Sequence, residues 1–406
     1  MACHCWLSSG HMRRDNQRHC FVAVGENTIT EELICFFQTI PLPPLAALEA
    51  ALFPRYARMM FERFIIVLGA VTGLALLAGC SSRTHVSVIT QVGESAVLIK
   101  EEPAALAHFP LRDYPLRVRS AYPPSPAIEY VAGRDFIVDF AAGTLRRMAG
   151  SRIPDFHTNL LFGREQFDHT KFPGYGNRGF FVFIDYSFEN SNCWPVQRPQ
   201  TNFLKATQVK LSGGDALKII AFGDSITAGG EASRPDLIFW QRWANELQRR
   251  HPCARVTAVN GATGGDTTVR GLARLQTKVI EEKPDLVLIG FGMNDNNQHG
   301  VPITEFERNL REMITRIRAG TGAEVVLFSA FPPNPKWLFG SPHMADYAAA
   351  TGHVATETGC AYADVYDNWQ MLAARKKPED MLGNNINHPN DFGHWIYFRV
   401  FEELGL

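Results

Sequence analysis

No surplus of charge of either sign marks this chain. It carries 40 Lys and Arg against 41 Asp and Glu, a formal net charge of −1. That removes the electrostatic case for a nucleic-acid partner. The basic run at 146–152 is short and reads as a solvated edge or loop. The glycine-rich stretch GATGGD at 261–266 has no lysine at its end, so it is not a phosphate cradle of the P-loop kind. Cysteine offers no metal framework either: Cys3, Cys5 and Cys20, with His11 and His19, fit no standard finger spacing. No internal repeat or long low-complexity tract is present. No metal or other cofactor is called for.

A long apolar span is also missing. The strongest candidate, residues 60–80, reads MFERFIIVLGAVTGLALLAGC. It falls short of the roughly 20 apolar residues that cross a bilayer. Arg63, an apolar stretch and a close of small residues form the pattern of a secretory signal instead. Leu77-Ala78-Gly79-Cys80 resembles a bacterial lipobox, in which the cysteine carries lipid. A signal belongs at a chain start, so Met59 or Met60 is the better initiator. The expectation is therefore an over-extended gene start over 1–58, a lipoprotein signal over 59–80, and a bacterial envelope protein anchored to a membrane through Cys80. Cys193, Cys253 and Cys360 then remain for at most one disulfide, whose pairing the sequence does not choose.

What is there is globular: 406 residues, 46% hydrophobic and 20% charged, enough for two domains. Over 81–210 the runs VSVITQVGESAVLI, IEYV, FIVDF and GFFVFIDYSF, broken by glycine and proline, predict a small β-rich, sandwich-like domain. Its aromatic residues Tyr130, Phe136, Tyr175, Phe180, Phe181 and Tyr186 allow a sugar-stacking surface, though sheet packing is the commoner use. From 211 to 406 the period changes. Apolar runs LKIIAF, VTAV, DLVLIGF, EVVLFSAF and AYADVY alternate with helical stretches such as FWQRWANELQRR and TEFERNLREMITRIRAG. That alternation predicts an α/β domain with a five-stranded parallel sheet.

The stretch AFGDSITAGG at 221–230 places Asp224 and Ser225 on a turn after the first of these strands, where open α/β sheets put ligands. A serine there needs a base to take its proton, and His388 in NNINHPNDFGH is the candidate. Each piece has a plainer use. Asp224 and Ser225 suit a helix cap, Gly264–Thr267 a turn, Asn294-Asp295 an Asx turn, and His394 a surface or helix-start position.

Four blocks taken together resemble the SGNH (GDSL-type) esterase family. They are Gly223-Asp224-Ser225, the stretch VNGATGGDTT with Asn260 and Gly265, Gly292-Met293-Asn294-Asp295, and His388-Pro389. The resemblance spans about the last half of the chain and implies a three-layer, flavodoxin-like fold. It implies Ser225 as nucleophile, His388 as base, and an oxyanion hole from the Ser225 and Gly265 N–H groups and the Asn294 amide. Asp224 and Asp266 support these. The family usually has an aspartate three residues before the histidine; this chain has Asn385. Three readings follow: a Ser225–His388 dyad supported by Asn385 or a backbone carbonyl, an acid from Asp391 or Asp380, or a weakened enzyme. The dyad is favoured. The expected substrate is an ester, an acetylated glycan first. The alternatives are a lipase or thioesterase of the same family, and a non-catalytic glycan-binding lipoprotein.

Overall fold

The computed structural model describes residues 87–190 and 199–406. The expectations for 1–58, for the signal segment with Cys80, and for Cys193 lie outside these residues. Cys253 and Cys360 are free thiols, one exposed and one buried. No helix among the described residues is long and apolar enough to cross a membrane. The described residues form one compact unit.

Among the described residues of the first part lie seven strands: β1 (Val88–Val97), β2 (Ala104–Ala105), β3 (Arg117–Arg119), β4 (Glu129–Tyr130), β5 (Phe136–Asp139), β6 (Thr144–Arg147) and β7 (Phe181–Glu189). They make a four-stranded sheet in the order β1-β7-β3-β4 and a three-stranded sheet in the order β2-β6-β5. The long β1–β7 pair is antiparallel, from Val88 opposite Glu189 to Val97 opposite Phe181. Its alternating side chains feed a core of Ala96, Leu98, Leu106, Val118, Val182, Ile184 and Phe188. The six aromatic residues named above are spent on packing. Tyr130, Phe136, Phe181 and Tyr186 are buried, and Tyr175 and Phe180 are half-buried, so they do not form an open stacking surface.

The second part is a parallel sheet of β8 (Ala216–Gly223), β9 (Arg255–Asn260), β10 (Leu286–Gly290), β11 (Glu324–Phe328) and β12 (Ala361–Ala363), in the order β12-β11-β10-β8-β9. Continuous apolar runs suit strands covered on both faces, and Ile219–Phe222 and Leu286–Leu288 are fully buried. Eight helices appear among the described residues: α1 (Lys205–Gly213), α2 (Phe239–Arg250), α3 (Thr268–Leu275), α4 (Ile303–Thr321), α5 (Met344–Thr358), α6 (Val365–Ala373), α7 (Pro378–Met381) and α8 (Asp391–Glu402). In α4 the buried residues Phe306, Leu310, Met313, Ile314 and Ile317 form one stripe. Each such side chain contributes about 1.5–3 kcal/mol on burial. Gly322, in the left-handed conformation at φ 73°, ends the helix by donating its N–H to Arg318 O. The sheet is the five-stranded α/β layer that the sequence pattern predicts, preceded by antiparallel β structure.

Candidate active site

Strand β8 ends at Gly223, and the chain turns at once. Asp224 Oδ1 accepts the Ile226 N–H at 2.9 Å, so the residue closes an Asx turn, and residues 225–230 follow as turn, not helix. Burial raises the Asp224 carboxyl to about 7. The turn leaves Ser225 half-buried. Its Oγ lies 2.8 Å from Nε2 of His388, 163 residues downstream.

Gly230 explains how the imidazole fits. A Cβ there would stand 2.9 Å from Ser225 O and 3.0 Å from His388 Nδ1. Only glycine lets the turn pass so close behind the ring. Gly230 is itself held: its N–H donates to Ser225 O at 2.8 Å, and its carbonyl faces His394 Nε2 at 3.1 Å. His394 is therefore not a surface residue. It sits inside α8 at 0% exposure, its ring stacked near Phe239. Burial drops its pKa to about 3, so it is neutral, and a carbonyl partner fixes the proton on Nε2.

The expected oxyanion donors come from neighbouring loops. Gly265 has φ 76°, and a Cβ on it would meet nothing within 4 Å. The Asn294 amide donates to Asp266 O at 2.9 Å, which joins the second and third sequence blocks. Asp295 makes the same junction, a role not visible in the sequence. Its Oδ1 accepts Thr268 N–H and Oγ–H at 2.9 and 2.6 Å, and its Oδ2 accepts Gly292 N–H at 3.2 Å. Asp266 pairs with Arg274. The Asn260 side chain accepts from Ala262 N–H and donates to Ala228 O, tying the second block to the serine turn.

Asn385 is not behind His388. It adopts φ 61° and is 1% exposed. Its oxygen accepts from Asn177 at 2.7 Å, and its nitrogen donates to Asn159 Oδ1 and Tyr175 O at 3.3 Å. Every polar atom of the side chain is thus engaged away from the ring. Asp391 and Asp380 are not substitutes. Asp391 accepts Ser233 N–H, and Asp380 accepts Val97 and Lys377 N–H. The neighbour Asn384 matters more than Asn385: its Oδ1 accepts the N–H groups of Ile386, Asn387 and His388 at 2.9–3.0 Å. One carbonyl thereby shapes the loop that carries the histidine.

Among the described residues no carboxylate bonds the His388 ring, and burial alone lowers its pKa to about 4. An imidazole must be neutral to accept a proton, and the neutral form exists above the pKa. The pH profile of kcat/KM should therefore stay level to about pH 5 and fall through an acid limb near 4. A limb at pH 6.5 or above would show a histidine that is not desolvated in this way.

A hydroxyl in contact with a neutral imidazole, on the turn after a parallel strand, is the working geometry of a serine hydrolase. Comparison with known proteins narrows the class. Residues 221–396 match the GDSL-like Lipase/Acylhydrolase family. An arylesterase of Vibrio mimicus is 38% identical over 203 residues, 46% of this chain and 88% of that protein. An acetylxylan esterase of Geobacillus stearothermophilus is 25% identical over 222 residues, 48% of this chain and 97% of that protein. A solved two-domain esterase active on acetylated mannans, co-crystallised with mannopentaose, is 22% identical with a TM-score of 0.44, covering 52% of this chain and 56% of that one. The chain belongs to the GDSL-like lipase/acylhydrolase family and is a carboxylic ester hydrolase.

Proposed function

We propose that the protein removes acetyl groups from a glycan through an acyl-enzyme on Ser225. His388 takes the Oγ proton as Oγ bonds to the ester carbonyl carbon. The bond from that carbon to the sugar oxygen then breaks, and His388 returns the proton to the departing hydroxyl. Water repeats the sequence and releases acetate. The Ser225 and Gly265 N–H groups and the Asn294 amide carry the oxyanion; each such donor is worth about 3–4 kcal/mol of transition-state stabilisation. The observation that carries the reading is the 2.8 Å contact between Ser225 and His388. It favours catalysis over passive glycan binding. The acetyl-glycan choice is supported by likeness to an acetylxylan esterase along nearly all of that relative's length.

The test is an acyl-chain series of p-nitrophenyl esters, with acetate release from acetylated xylan and acetylated mannan. Rates should fall at least tenfold from acetyl to octanoyl, and acetate should appear from at least one polymer. A preference for octanoyl, with no acetate from either polymer, would replace this reading with lipid or thioester hydrolysis.

A further inference from the structure

We propose that Asn177, supplied by the β-rich part of the chain, is a positioning residue for His388. The inference rests on the roles just given to Ser225 and His388. His388 lies on the loop between α7 and α8, and Asn384 shapes that loop from within. A shaped loop still has to be fixed to the body of the protein. Asn177, at 0% exposure, does this with both its main chain and its side chain. Its N–H donates to Gly383 O at 2.8 Å. Its Nδ2 donates to Leu382 O at 2.9 Å and to Asn385 Oδ1 at 2.7 Å, with Glu379 O farther off at 3.2 Å. Its Oδ1 accepts from Asn159 Nδ2 at 3.2 Å. Asn159 Oδ1 in turn accepts from Asn385 Nδ2 at 3.3 Å, which closes a ring of three asparagine amides.

Strand β1 fixes the outer ends of the same loop. Ser95 Oγ donates to Asp380 O at 2.6 Å and accepts from Asn390 Nδ2 at 2.9 Å. The parallel-sheet part contributes Asn334, whose side chain donates to Asn385 O at 2.8 Å. Residues 379, 380, 382, 383, 385 and 390 are thus all bonded to the β-rich part, and His388 lies inside that bracket. The β-rich part is in this sense half of the active-site frame. Asn385 stands where the family carries an acid, and here it is the loop's anchor point for Asn177.

Proton transfer is steep in distance: a misplacement of about 1 Å can cost about a hundredfold in rate. The test uses the full chain with Asn177→Ala, and Gln200→Ala as a control for stability loss away from the loop. Gln200 clamps the Tyr362 main chain on β12 and touches nothing in the site. Kinetics on p-nitrophenyl acetate are normalised to folded protein, and inactivation by a fluorophosphonate reports Ser225 reactivity. Asn177→Ala should lower kcat about 30- to 100-fold with KM within threefold, and slow inactivation in parallel. Gln200→Ala should keep kcat. Folded Asn177→Ala with kcat within threefold of the parent overturns the proposal, as does a loss equal to the unfolded fraction. Should Asn177→Ala not fold, Asn159→Ala decides: a fivefold or larger fall in kcat at constant KM supports the proposal, and a change within twofold overturns it. Ser225→Ala run alongside separates the two levels. Parent activity that vanishes with Ser225 but ignores Asn177 removes this inference alone. Parent activity equal to that of Ser225→Ala removes both.

Discussion

Ser225→Ala is expected to lower kcat/KM for p-nitrophenyl acetate by about 10⁴- to 10⁶-fold, the loss that follows removal of a serine nucleophile. The hydroxyl bonds His388 Nε2 at 2.8 Å, and the turn around it is held by Asp224 and Gly230. The variant should therefore fold and lose chemistry alone. His388→Ala should fall by a similar factor, and the double variant should be no worse than either, because nucleophile and base act as a unit. A small residual rate should survive in all three, sustained by the amide donors around the oxyanion. Steady-state kinetics on folded protein check this. A loss under tenfold for Ser225→Ala would remove the serine from the mechanism.

The second large effect is on stability. Lys376 and Glu94 pair at 2.8 Å with both side chains at 0% exposure. Glu94 also accepts the Tyr186 hydroxyl at 2.5 Å and the Ala107 N–H at 2.9 Å, and Lys376 also donates to Ala105 O. Burial pulls the Lys376 ammonium down, yet Glu94 and Asp380 outweigh it and hold its pKa above the ordinary value. A buried pair of this kind contributes little net against apolar side chains, but breaking it strands a charge. Lys376→Met should destabilise the protein by about 3–5 kcal/mol. Glu94→Gln in the same chain should recover much of that, and the coupling can be read from a double-mutant cycle by chemical denaturation. A Lys376→Met protein within about 1 kcal/mol of the parent would mean that the charge finds water or another partner.

The parallel sheet and the four blocks could be read from the sequence because both are local signals. A strand buried on both faces is a continuous apolar run, and LKIIAF and DLVLIGF have no other use. Ser225 and Asn294 each follow such a run, while Gly265 follows the edge strand β9, which is not buried. The environment of His388 was not legible in the same way. Position predicted Asn385 as its support, but a left-handed backbone at φ 61° turns that side chain toward Asn159 and Asn177. The partners lie 208 and 226 residues away, and nothing in periodicity or propensity encodes such a meeting. Asn384 carries a weak signal, since asparagine favours capping its own following N–H groups. Of the two readings of His394, the helix-start one holds, since it lies in the first turn of α8, and the surface one fails, because tertiary packing put it under Gly230. The aromatic residues of the β-rich part were ambiguous in principle, because sheet packing and sugar stacking ask for the same side chains.

The bracket around His388 also sets an order of events. Ser225 is seated by bonds within its own turn, whereas the histidine loop is seated by Ser95 and Val97, which stand 285 and 283 residues before Asp380. Contacts of such long sequence separation are slow to form, because a large loop of chain must close first. A chain emerging from synthesis, or one regaining its fold from denaturant, would hold a shaped but inert hydroxyl until β1 engages the segment around Asp380. Esterase turnover would then be a late signal, arriving only once the whole body has assembled.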